Sequence, residues 1–148
     1  MTIRRSNLAV FGLLAYLTCA TGHSQSTDEK MEAPAMWMTV GNQRFSITLD
    51  DNPSARALVR QLPLRLDMRE LNGNEKYASL PAPLATNATR PGTLRNGDLM
   101  LYGDDTLVVF YSTLKSSYAY TRLGRVNTPD DLPKTLGPGD VQAIFSRD

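Results

Sequence analysis

The stretch that most constrains the fold is Asp98–Ser112, with the sequence DLMLYGDDTLVVFYS. Two runs of apolar and β-branched residues flank the turn sequence Gly103-Asp104-Asp105, a pattern typical of a β-hairpin. In the second run, apolar residues follow one another without alternation from Leu107 to Phe110, so we expect this strand to be covered on both faces. A strand covered on both faces lies at the centre of a core, and the other elements must pack around it.

The first 24 residues have the pattern of a secretory signal peptide. Arg4 and Arg5 form a basic start, and Leu8–Leu17 is an apolar run too short to cross a bilayer. We therefore expect cleavage near Ser24, a periplasmic or secreted mature protein, and no stable membrane anchor. A lipid anchor on Cys19 is the alternative, although the residues that precede it fit the lipoprotein cleavage box poorly.

Cleavage near residue 24 would remove the only histidine and the only cysteine of the chain. The mature protein would then lack a Ser-His-Asp triad, a cysteine nucleophile and a His/Cys metal site, so we predict no catalytic residues, no metal and no cofactor. The whole chain has 16 basic and 15 acidic residues, a formal net charge of +1. This near-neutral balance is not typical of a nucleic-acid-binding protein.

The rest of the chain is dominated by short strands and turns. Residues 25–35 are polar and are predicted to form a flexible leader, so the folded domain is predicted over residues 36–148. About eight short strands without strand–helix alternation argue against a parallel α/β fold and predict a mainly β, closed or nearly closed barrel. Pro81–Pro91 is predicted as a long ordered loop and Thr113–Ser117 as a polar loop.

Two helices interrupt the strands. Asn52-Pro53 is a good helix start, since asparagine caps free amides and proline suits the first helical position. The apolar stripe of this helix recurs at helical spacing, and Pro63 ends it; its members are Ala55, Leu58, Val59 and Leu62. A second short helix is predicted over residues 129–136, with Thr128 as its cap.

Taken in order, these elements resemble the bacterial cyclophilin-like domain proteins from about residue 45 to residue 145. The motifs that carry the resemblance are Asp51-Asn52 before Ala55, Leu62-Pro63-Leu64, Glu75-Lys76-Tyr77, Gly97-Asp98-Leu99 and Leu123-Gly124. The resemblance implies a closed eight-stranded cyclophilin-like β-barrel with a helix at each open end.

The resemblance does not carry an activity with it. True cyclophilins are prolyl isomerases whose catalytic arginine lies in a Phe-His-Arg run followed by Gln-Gly-Gly-Asp, and neither run occurs here. Our preferred hypothesis is an exported module that binds a small molecule or a peptide. Prolyl isomerisation with Arg65, Arg69 or Arg122 in a new position is the enzymatic alternative, and a structural or partner-binding module is a third. The sequence does not predict an oligomeric state.

The predicted binding residues are Glu75, Tyr77, Tyr102, Tyr111 and Arg122. In a strand, Glu75 and Tyr77 share one face and Lys76 takes the other, so we expect Glu75 to accept hydrogen bonds from a ligand and Tyr77 to stack on it. The alternative is structural, with Glu75 paired to an arginine and Tyr77 filling the barrel end. The second half of the chain is rich in tyrosine, which suits a ligand groove or a half-buried core equally; the four are Tyr102, Tyr111, Tyr118 and Tyr120.

Overall fold

The computed structural model describes residues 35–147 of the chain. The predicted signal peptide, nearly all of the predicted leader and the predicted alternative at Cys19 lie outside the described residues. Within residues 35–147, no helix has the length and apolar character needed to span a membrane.

Ten strands and two helices make up the described part of the chain. The elements are β1 (Ala35–Val40), β2 (Gln43–Leu49), α1 (Pro53–Gln61), β3 (Leu64–Leu71), β4 (Glu75–Ser79), β5 (Gly92–Leu94), β6 (Asp98–Tyr102), β7 (Thr106–Phe110), β8 (Leu114–Ser116), β9 (Thr121–Val126), α2 (Leu132–Leu136) and β10 (Val141–Ser146). Eight strands close into an antiparallel barrel in the order β1-β10-β3-β4-β7-β6-β9-β2, and β5 pairs with β8 in a separate two-stranded sheet. This confirms the predicted closed eight-stranded barrel with two helices.

Strand β7 is covered on both faces, as its unbroken apolar run predicts. Leu107 and Val109 are fully buried in the main core inside the barrel. Val108 and Phe110 face outward and belong to a second apolar cluster, which contains Leu94, Met100 and Tyr120 and has Leu114 packed against it. The small β5–β8 sheet supplies Leu94 and Leu114 to this cluster, so it covers part of the outer surface of the barrel. The outer surface next to the small sheet stays uncovered.

The predicted polar loop Thr113–Ser117 is therefore half of this small sheet, which is a correction to the sequence analysis. Its partner β5 was not predicted either. Three-residue strands carry too little alternation to be recognised, and pairing in register with each other is what makes them strands.

The two helices lie at opposite ends of the barrel, because α1 joins β2 to β3 at one end and α2 precedes β10 at the other. The side-chain oxygen of Asn52 accepts a hydrogen bond from the Ala55 amide at 2.8 Å, which confirms the predicted cap of α1. The second helix is shorter than predicted and begins at Leu132; Asp131 stands at its N-cap and makes no side-chain capping bond.

The Pro81–Pro91 segment is an ordered loop, as predicted. The amide of Leu84 donates to the carbonyl of Asp104 at 2.7 Å, and Leu84 itself is buried in the main core. Near its other end, the Thr89 and Tyr120 backbones exchange two hydrogen bonds of 2.9 Å. These bonds tie the loop to the barrel at two points.

Candidate functional site

An open groove runs along the outer wall of the barrel beside β4. Strand alternation places Glu75 and Tyr77 on one face of β4 and Lys76 on the other, as predicted, and in the structure Glu75 and Tyr77 face outward while Lys76 faces inward. Pairing with β7 places Glu75 opposite Phe110 and Tyr77 opposite Val108. The groove thus has the second apolar cluster as its floor and the small β5–β8 sheet at its side.

We call this site the tyrosine groove. Its volume is about 690 Å³, which is enough for a small organic ligand or a few residues of an extended peptide. No residue of the Pro81–Pro91 loop lines it. Its lining residues are Leu71, Asn72, Asn74, Glu75, Tyr77, Tyr102, Thr106, Val108, Leu114, Lys115, Ser116, Ser117, Tyr118 and Tyr120.

Three of the tyrosine rings form a contiguous array. The ring centroid of Tyr102 lies 6.2 Å from that of Tyr118 at an interplanar angle of 89°, and 5.8 Å from that of Tyr120 at 55°. Tyr120 meets the buried ring of Phe110 edge-on at 5.6 Å. The array is therefore anchored on the second apolar cluster and presents ring faces in different directions along the groove.

The groove also holds the exposed apolar side chains of the described structure. Among residues 35–147, three large apolar side chains are exposed, and all three line the groove: Leu71 at 40%, Tyr102 at 48% and Tyr118 at 63%. Exposed apolar residues scattered singly need no explanation, but these three are gathered in one concave site.

Lys76 lies on the opposite side of β4 from the groove and is fully buried. Its ammonium donates to the Glu70 carboxylate, to the Gly137 carbonyl at 2.6 Å and to the Gly139 carbonyl at 2.7 Å. Glu70 also accepts a hydrogen bond from the Tyr111 hydroxyl at 2.8 Å. Every proton of the ammonium has an acceptor, so this network joins the end of α2 to β3 and β4.

The structural network of the Glu75-Lys76-Tyr77 motif is therefore built on Lys76 and Glu70. The sequence analysis placed its structural alternative on Glu75 and an arginine, and Glu75 has no such partner here. The expectation that Tyr77 would fill the barrel end is also replaced, because Tyr77 faces the groove and packs against the second apolar cluster.

Opposite pKa shifts separate the two glutamates. Burial alone would raise the pKa of Glu70, but hydrogen bonds from Lys76, Tyr111 and Gly73 lower it below its ordinary value of 4.5. For Glu75, burial and the charge of Glu70 both raise the pKa above 4.5. Burial and the neighbouring Glu70 raise the pKa of Tyr111 to about 12, so its hydroxyl stays protonated and keeps donating.

Of the five predicted binding residues, the structure brings together Glu75, Tyr77 and Tyr102. Tyr111 lies in the main core, bonded to Glu70. Arg122 is on β9 and its Nε lies 3.3 Å from a carboxylate oxygen of Asp50, away from the groove lining.

The arginines of the isomerase alternative do not line the tyrosine groove. Arg65 borders a separate depression and donates to the side-chain oxygen of Gln142 at 2.6 Å. Arg69 is exposed on β3 and Arg122 is paired with Asp50. Within residues 35–147 there is also no group of three or more His, Cys, Asp or Glu side chains arranged to hold a metal ion.

Sequence reasoning missed three contributors. Tyr118 and Tyr120 were noted as part of the tyrosine-rich region but not placed in the site, and their position depends on the β5–β8 sheet. Leu71 follows the alternating residues from which β3 was predicted. The interior position of Lys76 does have a sequence signal, since it shares a strand face with the apolar Ala78.

Comparisons with known proteins agree with this architecture. The model of the Cyclophilin-like family matches residues 38–146, which is most of the chain. The solution structure of a hypothetical protein from Archaeoglobus fulgidus superposes with a TM-score of 0.57 at 12% sequence identity, covering 82% of this chain and 99% of that one. No curated protein matches the sequence. The chain belongs to the cyclophilin-like family.

Proposed function

We propose that this protein is a binding module that holds a small organic molecule or a short extended peptide in the tyrosine groove. The observation that carries the proposal is the gathering of the exposed apolar side chains of residues 35–147 in one concave site. Contact between these side chains and water is unfavourable, and a ligand bound in the groove would remove part of their surface from water.

The composition of the groove supports binding rather than a structural role. Tyrosine offers a large contact area, few rotatable bonds and a polar tip, which suits adaptable recognition. The site also combines an apolar floor with polar groups, as ligand pockets do: Glu75, Lys115, the tyrosine hydroxyls, and the asparagine, serine and threonine side chains of its lining. Nothing in its lining supplies a nucleophile with an adjacent base, so the proposal is for binding alone.

Nuclear magnetic resonance with the full ¹⁵N-labelled chain tests this proposal. The probes are blocked tripeptides, acetyl-Gly-Xaa-Gly-amide, with Phe, Leu, Gln, Glu or Arg as the central residue. We expect at least one peptide to shift the amide signals of β4, β8 and Tyr118–Tyr120 at millimolar concentration. Signals of Gly41–Gln43, which lie beside another depression of the surface, should not move.

The matched variants remove two exposed rings without touching the core. Tyr102→Ala combined with Tyr118→Ala should weaken binding at least tenfold, while Lys134→Ala on α2 should leave it unchanged. Absence of any shift at the groove with all five peptides would refute the proposal. Equal shifts in the double variant and the parent protein would refute it too.

The predicted export of the protein remains part of the proposal. A periplasmic or secreted module would meet its ligand outside the cytoplasm, and the signal-peptide pattern of the first 24 residues supports this location.

A further inference from the structure

The carboxylate of Glu75 stands out among the buried and half-buried acids of the described chain. It is half-buried in the wall of the tyrosine groove and forms no hydrogen bond or ion pair with any residue from 35 to 147. By contrast, Glu70 is held by Lys76, and buried Asp98 accepts from Arg125 at 2.7 Å. Partial burial without a partner disfavours the charged form of this carboxylate, so a cation beside Glu75 would stabilise it.

Within residues 35–147, no lysine or arginine forms an ion pair with Glu75. Lys76 is next to it in sequence but points into the barrel, where its three protons are already bonded. Lys115 is an exposed residue of the groove lining on β8 and makes no ion pair in residues 35–147. Arg122 lies outside the groove and is paired with Asp50.

The tyrosine rings add to the negative character of the site. The face of an aromatic ring attracts a cation within about 6 Å of its centroid. Tyr102, Tyr118 and Tyr120 all line the groove, and the ring of Tyr102 stands at 89° to that of Tyr118 and at 55° to that of Tyr120, so the rings are not coplanar. The field of Glu75 reaches Tyr120, whose pKa is raised first by burial and then by that carboxylate.

We infer that the tyrosine groove recognises a positively charged nitrogen group, an alkylammonium or a guanidinium, paired with the Glu75 carboxylate and enclosed by the rings of Tyr102, Tyr118 and Tyr120. This inference rests on the proposed binding function and adds the chemical class of the ligand to it. The charged group comes either from a basic side chain of a peptide or from a free amine, and the recognition chemistry is the same for both.

The experiment compares two tripeptides that differ in charge and hardly in shape. The full chain is titrated with acetyl-Gly-Arg-Gly-amide and with its citrulline counterpart, and dissociation constants are taken from the groove amide signals. We expect the arginine peptide to bind at least tenfold more tightly. n-Propylguanidinium, the arginine head group and its methylene stem as a single free cation, separates the two sources: binding as tight as that of the peptide identifies the head group as sufficient, and weaker binding shows that the peptide backbone contributes. Either result upholds the inference.

Glu75→Gln is the variant that isolates the carboxylate. It should reduce the preference for arginine over citrulline to less than threefold. Asp131→Asn removes the same charge from an exposed site outside the groove and should keep the preference. Lys115→Ala should increase it, because it removes a competing cation from the groove lining.

The outcomes separate this inference from the proposed function. Equal binding of the arginine and citrulline peptides at the groove would overturn the cation inference and leave the binding function standing. A preference that survives in Glu75→Gln would overturn the role of the carboxylate. If no peptide of the full panel shifts the groove signals, both proposals fail.

Discussion

Replacing Lys76 with methionine tests the interior network most directly. The ammonium is fully buried and donates three hydrogen bonds, to the Glu70 carboxylate and to the carbonyls of Gly137 and Gly139. Methionine keeps a similar apolar stem but leaves all three acceptors without their donor. The variant therefore removes the charge and its bonds while leaving the packing nearly intact.

The expected loss of unfolding free energy follows from the hydrogen bond that each acceptor of Lys76 loses. A hydrogen bond to a charged donor contributes about 1.5–3 kcal/mol, so two carbonyls lose about 3–6 kcal/mol before compensation. Water can replace part of the hydrogen bonding that these two carbonyls lose, because Gly137 is half-buried and Gly139 is exposed. The Glu70 side chain is 21% exposed and keeps its bonds from Tyr111 and Gly73. Removing one partner of a buried ion pair costs about 3–5 kcal/mol, and we expect the lower end, about 3 kcal/mol.

Urea unfolding followed by circular dichroism measures this cost. With a dependence of about 1–3 kcal/mol per molar urea for a small domain, the unfolding midpoint should fall by about 1–3 M. Lys115→Met removes an exposed lysine and should change the unfolding free energy by less than about 0.5 kcal/mol. A loss of less than 1 kcal/mol in Lys76→Met would refute the view that the ammonium organises this end of the barrel.

Four further predictions concern the rest of the molecule. Because the pKa of Glu75 is raised on folding, its ionised form destabilises the native state above that pKa and the penalty disappears below about 4.5. Glu75→Gln should therefore be more stable than the parent protein at pH 7 and converge with it by pH 4 in parallel melts; a difference independent of pH would contradict the assignment. Gly124→Ala should cost about 3 kcal/mol in urea unfolding, since a β-carbon there would lie 2.9 Å from the Leu49 α-carbon; an unchanged midpoint would show that the strands can separate cheaply. Mass spectrometry of the protein from a periplasmic fraction should show cleavage near Ser24, and an intact N-terminus would exclude the signal peptide. A prolyl isomerisation assay with Xaa-Pro peptides should give the uncatalysed rate, and acceleration by the full chain would revive the arginine hypothesis.

The barrel could be predicted from the sequence because its signals are local or repeat at short range. The unbroken apolar run of β7 and the alternation of β2 and β3 report burial residue by residue. The Asn52-Pro53 pair marks a helix start through a hydrogen bond that spans only three residues. The motifs behind the family resemblance also have structural roles here, in the helix cap, the interior lysine and the close strand contact at Gly124.

The binding site was predicted only in part. Strand alternation was enough to place Glu75 and Tyr77 on one face of β4, because the period of a strand is two. Only the structure showed that this face points outward, into the groove. Strand alternation could not predict that Tyr111 would lie in the core and donate a hydrogen bond to Glu70, which is 41 residues away in the chain. Nor could it place Tyr118 and Tyr120, whose positions depend on two three-residue strands that become strands only by pairing with each other.

The sequence by itself determined the class of fold, the positions of most strands and of α1, and the shared face of Glu75 and Tyr77 on β4, since each of these depends on neighbours a few residues apart. Only the tertiary structure decided that the three large apolar side chains exposed among residues 35–147 meet in one groove. It also decided that Lys76 bonds Glu70, Gly137 and Gly139 inside the barrel, and that the Glu75 carboxylate has no partner in this part of the chain. Barrel closure brings together residues that are distant in sequence, and the local pattern does not encode which of them will meet. The groove and its unpaired carboxylate are consequences of that closure.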